Sequence, residues 1–280
     1  MRKISVNLII EQIKEMCQEA NFDLCQDIKE ALVSFKEKEE SPVGQAILCD
    51  ILENAEIAKN NRVPMCQDTG MTVVFVEIGQ EVYIEDGLLE EAVNEGIRQG
   101  YSEGFLRKSV VKDPLDRVNT KDNTPGIIHY EIVSGDQLKL TVAPKGFGSE
   151  NMSRMKMLKP SDGIEGVKDF VIETVSLAGP NPCPPIVVGV GIGGTIEKAA
   201  LIAKKSLMRD LGSSHDSKHI ADLEVELLEA INKLGIGPQG LGGITTAIGV
   251  NVETYPTHIA GLPVVVNINC HAARHVTRIL

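Results

Sequence analysis

The sequence has no tryptophan, and aromatic residues make up only 4% of its 280 positions. Proteins that hold single-stranded nucleic acid stack bases on such rings, so the usual platform is missing. Basic residues are also scarce: 28 Lys and Arg stand against 39 Asp and Glu, a formal net charge of -11. Phosphate recognition draws on clustered positive charge, so no nucleic-acid partner is expected, and an anionic membrane surface is disfavoured on the same ground. No run of ~18 apolar residues occurs. Met1 to Gln18 mixes apolar with charged positions where an export signal would be continuously apolar. The expected location is cytoplasmic. There is no C-x-x-C pair, and the six cysteines of a chain without an export signal read as thiols or metal ligands rather than as a disulfide framework. Internal repeats and low-complexity segments are absent as well.

What is present fits a globular body, with 42% hydrophobic and 24% charged residues. Ile9, Ile13, Met16, Cys17 and Ala20 recur at helical spacing, followed by Cys25, Ile28, Leu32 and Phe35. Ser41-Pro42 has the form of an N-cap with proline at the first helical position, opening a third helix to about Asn60. Cys17, Cys25 and Cys49 are therefore expected as small buried hydrophobes. Beyond residue 62 the pattern changes to apolar runs, Thr72 to Val76, Ile127 to Val133, Leu138 to Val142, Ile186 to Val188, Ile244 to Val252 and Leu262 to Ile268, with helices among them. Ser134 to Gln137 suggests a hairpin joining the second and third runs. The expected fold is mixed α/β, one domain over 1–280 in which a helical region, 1–62, packs on an α/β body, 63–280, of unspecified strand order.

Three motifs compete for function. Gly189 to Gly194 satisfies G-x-G-x-x-G between an apolar run and a helix, but the second strand with an acidic end, needed about 20 residues on, is missing. Close packing of helix on strand explains those glycines equally well. The pairs His215/His219 and His271/His275 have the i, i+4 spacing of a zinc site without a supporting context. Cys66, Cys183 and Cys270 stand at the ends of apolar runs or in proline-bounded turns, where a side chain projects from a rigid support. Spacing alone leaves them three separate thiols. However, Cys66 runs directly into Gln67 and Asp68, so one loop offers a soft ligand, an amide and a carboxylate.

At Met65-Cys66-Gln67-Asp68-Thr69-Gly70, Lys145 to Asn151, Cys183-Pro184-Pro185, Gly235-Ile236-Gly237, His258 and Cys270 the sequence resembles the class I, iron-sulfur-dependent fumarate hydratases and L-tartrate dehydratases, most of all their alpha subunits. The resemblance covers nearly the whole chain. It implies a 4Fe-4S cluster on Cys66, Cys183 and Cys270 with one iron open to an oxygen ligand. Asp68, with His258 nearby, would handle the proton at that oxygen, and Gln67, Arg107 and Gly148 would bind a small dicarboxylate. Where related sequences often have three glycines, Phe147 takes the middle place. Related single chains also continue into a second domain, so a separate beta subunit and a hetero-oligomer are expected. The rival from another class is a redox module, which would close all four irons with protein ligands, and the helical settings of Cys17, Cys25 and Cys49 speak against it.

Overall fold

The apolar stripes of the N-terminal third form the expected helices, α1 (Val6–Phe22), α2 (Gln26–Lys38) and α3 (Pro42–Asn61). Ser41 does cap α3, its hydroxyl accepting the Gly44 amide at 3.2 Å. The computed structural model describes residues 1–280 and confirms a mixed α/β chain. Two compact units share it: unit one comprises 1–25, 55–147 and 274–280, and unit two comprises 26–54 and 148–273.

In unit one, β1 (Arg2–Ser5) pairs in parallel with β3 (Val82–Glu85), a short ribbon with no apolar run to announce it. The main sheet contains β2 (Met71–Gly79), β4 (Ile127–Val133), β5 (Leu138–Lys145) and β10 (Val276–Ile279) in the order β10-β5-β2-β4. β2 lies parallel to β4 and antiparallel to β5. α1 and α4 (Leu89–Glu103) supply apolar faces, and Ile9, Ile13, Val93, Ile97 and Tyr101 join Val74, Val76, Leu140 and Val142 in one buried cluster.

The hairpin expected at 134–137 does not form. β4 and β5 flank β2 on opposite sides, and the turn arches over the end of the strand between them. Three bonds hold the arch: Gly79 N to Gln137 O at 2.8 Å, Gln80 N to Val133 O at 2.9 Å and Glu81 N to Gly135 O at 3.0 Å. Glycine is required at 79, because a Cβ there would stand 2.3 Å from Gly135 O.

Unit two holds β6 (Arg154–Leu158), β7 (Ile186–Gly193), β8 (Ala247–Tyr255) and β9 (Leu262–Asn269) in the order β6-β9-β7-β8. β7 is parallel to β8 and antiparallel to β9. α6 (Gly163–Ala178) and α8 (Lys218–Asn232) contribute Val167, Phe170, Val171, Leu223, Leu227 and Ile231 to the core beside Val188, Val190, Val250, Val264 and Val266. The G-x-G-x-x-G glycines do not follow a strand: Gly189 and Gly191 lie inside β7. A Cβ on Gly189 would stand 2.3 Å from Ala203 O, and one on Gly191 would stand 2.1 Å from Ala199 O. Both carbonyls belong to α7 (Ile196–Ser206), so the glycines serve close packing of helix on strand.

A buried carboxylate staples part of unit two. Glu39, 2% exposed, accepts the amides of Ser41, Ile244 and Thr245 at 2.8 to 3.1 Å. Burial works to raise its pKa, but the Thr245 hydroxyl and these three amides outweigh it and hold the carboxyl below its ordinary value.

Candidate active site

In unit one the register of β2 with β5 pairs Met71 with Lys145, so the segment before β2 and the segment after β5 emerge at the same end of the sheet. The first carries Cys66, Gln67 and Asp68; the second carries Gly146 and Phe147. Cys66 is half-buried and reduced, and its sulfur accepts the Asp68 amide at 3.4 Å. The two carboxylate oxygens of Asp68 are divided between the segments. Oδ1 accepts Gly70 N at 3.0 Å, and Oδ2 accepts Phe147 N at 2.8 Å. Gly146 leaves room for that approach, since a Cβ there would meet Oδ2 at 3.3 Å. Phe147 takes part through its backbone, with its ring exposed.

Arg107 joins this group through its main chain, whose carbonyl accepts the Thr69 hydroxyl at 3.0 Å, while its side chain stays exposed. Gln67 is exposed as well. Beneath the loop lies a polar layer that sequence reasoning missed. The Tyr101 hydroxyl donates to Thr69 O at 2.6 Å, the Asn123 amide to Gly70 O at 3.1 Å, and the Arg274 guanidinium to Asp68 O at 2.6 Å. Arg274 is only 4% exposed, and Asn123 is fully buried. Buried polar side chains of this kind are retained where they find partners, but their separations of 206 residues for Arg274 and 53 for Asn123 leave no local signal.

Unit two repeats the placement. β7 and β9 pair Val187 with Asn269, so Cys183, three residues before β7, and Cys270, immediately after β9, come out at one end. Cys183 is exposed in a left-handed backbone conformation with φ 56°, and Cys270 is half-buried. His271, the neighbour of Cys270, contacts the Cys183 carbonyl through Nδ1 at 3.0 Å. The Gln239 side chain donates to Pro184 O at 2.8 Å and lies 3.2 Å from the same His271 nitrogen. Gln239 and His271 thus tie the two cysteine turns together, and neither was anticipated in that part. The pair His271/His275 lies in a turn and the loop that follows it rather than on a helix face.

His258 stands elsewhere. It lies in the turn between β8 and β9, so the eight residues of β9 separate it from Cys270 by roughly 26 Å. There it lines a cavity of about 460 Å³ with Lys198, Tyr255 and Thr257, and the Lys198 ammonium sits 4.4 Å from the Tyr255 ring centroid. Gly148 follows the Asp68-binding Phe147 on the short helix α5 (Phe147–Glu150), where a Cβ would meet nothing nearer than the Asn181 carbonyl at 3.9 Å.

No three His, Cys, Asp or Glu side chains are drawn around a single metal ion. A cubane cluster asks for less, because each thiolate binds its own iron. Three free cysteines outside helices, Cys66 in unit one and Cys183 and Cys270 in unit two, are thiols of the chemistry such a cluster takes.

A family profile described as fumarate hydratase (fumerase) matches residues 10–279. A provisionally named alpha subunit of L(+)-tartrate dehydratase from Methanocaldococcus jannaschii is 46% identical over 272 residues, covering 95% of each chain. The protein named as L(+)-tartrate dehydratase subunit alpha in Escherichia coli K12 is 34% identical over 277 residues, covering 98% of this chain and 91% of that one. One of the same name from Shigella sonnei matches to the same extent.

Proposed function

The chain belongs to the fumarate hydratase family, and on that premise we propose that it is the alpha subunit of an iron-sulfur hydro-lyase interconverting fumarate and L-malate, with 1–280 acting as one catalytic module. The observation that carries the proposal is the Asp68 carboxylate, fixed by the Gly70 and Phe147 amides two residues from the Cys66 thiol. A proton-transferring group works only when held within hydrogen-bond reach of the reacting atom, and these two amides orient the Asp68 carboxylate.

Cys66, Cys183 and Cys270 would hold the cluster, which when bound supplies an open iron as Lewis acid toward the substrate oxygen. Asp68 donates or accepts the proton at that oxygen, so that water rather than hydroxide leaves. Arg107 offers its exposed guanidinium to a substrate carboxylate, a charge-assisted bond that a dicarboxylate needs in an otherwise acidic chain. Gln67 adds an amide, and the open face at Gly148 admits the substrate to the backbone. His258 lies on the turn at the other end of β9 from Cys270.

The names of the relatives favour a second substrate, L-tartrate, which loses water by the same chemistry to give oxaloacetate. Those names also call for a beta subunit, which we propose completes the site in a cytoplasmic hetero-oligomer. The deciding experiment reconstitutes the chain anaerobically with iron, sulfide and its beta subunit, then follows malate formed from fumarate and oxaloacetate formed from tartrate. Turnover of one substrate at least ~100-fold above the other assigns it. Turnover of neither overturns the proposal.

A further inference from the structure

The three cysteines outside the proposed ligand set occupy three different environments. Cys17 is fully buried on α1, and burial pushes its thiol up to about 12, against a smaller opposing effect from the Thr72 hydroxyl. Such a thiol stays protonated and inert. Cys49 is exposed on α3. Neither it nor Cys25 is the buried hydrophobe that helical spacing suggested.

Cys25 is half-buried in the turn after α1, and its sulfur lies 3.7 Å from the Nδ1 atom of His275. The thiol donates to the His275 carbonyl oxygen at 3.4 Å, and the sulfur accepts the His275 amide at 3.3 Å. Both residues belong to unit one. The imidazole nitrogen is placed to take the thiol proton, and the amide remains to hold charge on the sulfur. A nucleophile and a base within reach of each other, both only half-buried, form the arrangement that activates a thiol.

We propose that Cys25 is an oxidative modification site, with His275 as its base and hydrogen peroxide as its co-reactant. His275 removes the thiol proton, and the thiolate attacks one peroxide oxygen. The S–O bond forms as the O–O bond breaks. Sulfur loses two electrons and becomes a sulfenic acid, while the departing hydroxide takes the proton from the imidazolium and leaves as water.

The test uses the full chain, purified anaerobically, with iodoacetamide as probe and each thiol followed separately by peptide mass spectrometry. At pH 7 Cys25 is expected to alkylate at least about threefold faster than the more exposed Cys49, because a base within reach of the sulfur raises its thiolate share. Cys17 should remain unlabelled. Peroxide followed by a dione that traps sulfenic acid should then mark Cys25 ahead of Cys49. His275→Gln should bring the Cys25 rate down to that of Cys49. Should that variant fail to fold, the unmodified chain decides by its pH profile, in which Cys25 labelling should reach its plateau at lower pH than Cys49. Equal or slower alkylation of Cys25, or coincident profiles, overturns the proposal.

Discussion

In unit one, β2 lies between a parallel partner reached through α4 and an antiparallel partner, β5; in unit two, β7 lies between β8, reached through α7 and α8, and the antiparallel β9. Each sheet carries one more antiparallel strand outside that pair, β10 from the end of the chain in one case and β6 from before the core in the other. The common pattern gathers two chain segments at the start of the central strand. Its occupants differ. Unit one places Cys66 with an acid there, facing glycine and a free-standing amide, whereas unit two places two cysteines and a pair of prolines. Topology therefore decides where a site stands, and the residues decide whether it moves protons or only binds.

The largest expected effect bears on whether both units bind. Cys66→Ser, Cys183→Ser and Cys270→Ser should each lower turnover by ~10³-fold or more and reduce bound iron, because a Lewis acid supplies several kcal/mol of transition-state stabilisation. Full iron content in Cys66→Ser alone would break the comparison, leaving ligation to unit two. Asp68→Asn should cost about 10²- to 10⁴-fold in turnover while iron content is kept, the range of a proton-transferring group. Loss of iron there would show that the acid is structural.

Packing gives the next test. Gly191→Ala sets a methyl group 2.1 Å from a backbone carbonyl of α7, so helix and strand must part, at a cost of about 1–3 kcal/mol in unfolding free energy. In unit one, Gly126→Ala meets the movable tip of Ile97 at 2.5 Å and the Thr72 carbonyl at 3.2 Å, and should cost less by chemical denaturation. Glu39→Gln should destabilise by about 1–3 kcal/mol, since an amide cannot accept all three N–H groups at full strength. The Glu39 carboxyl titrates lower folded than unfolded, so its stabilisation is complete above the ordinary glutamate value of 4.5 and is lost as pH falls through the folded one. The variant and the parent should therefore converge in acid. Phe147→Gly should be the smallest change, within about 0.5 kcal/mol, because the bond to Asp68 uses the backbone and the ring is exposed.

Much of this was legible in the residues. Helical stripes and apolar runs carry their own periodicity, and α1 to α3, β2, β7 and β9 follow it within a few positions. The order of strands was not, because β4 and β5 adjoin in sequence and only the arch over Gly79 reveals that β2 comes between them. Proline-bounded turns marked Cys66 and Cys183 as projecting groups. Arg274, Asn123 and Gln239 stayed hidden, since a side chain that braces a distant loop looks locally like any polar residue.

The arch at 134–137 reaches further than its own end of the sheet. It locks β2 lengthwise, and Cys66 and Asp68 stand just beyond the far end of that nine-residue strand, roughly 30 Å long. A strand displaced by one residue turns every side chain to the opposite face. One residue gained or lost in this remote turn could thus misplace the Asp68 carboxylate with every residue of the proposed site still intact, a kind of damage invisible to any inspection of the site itself.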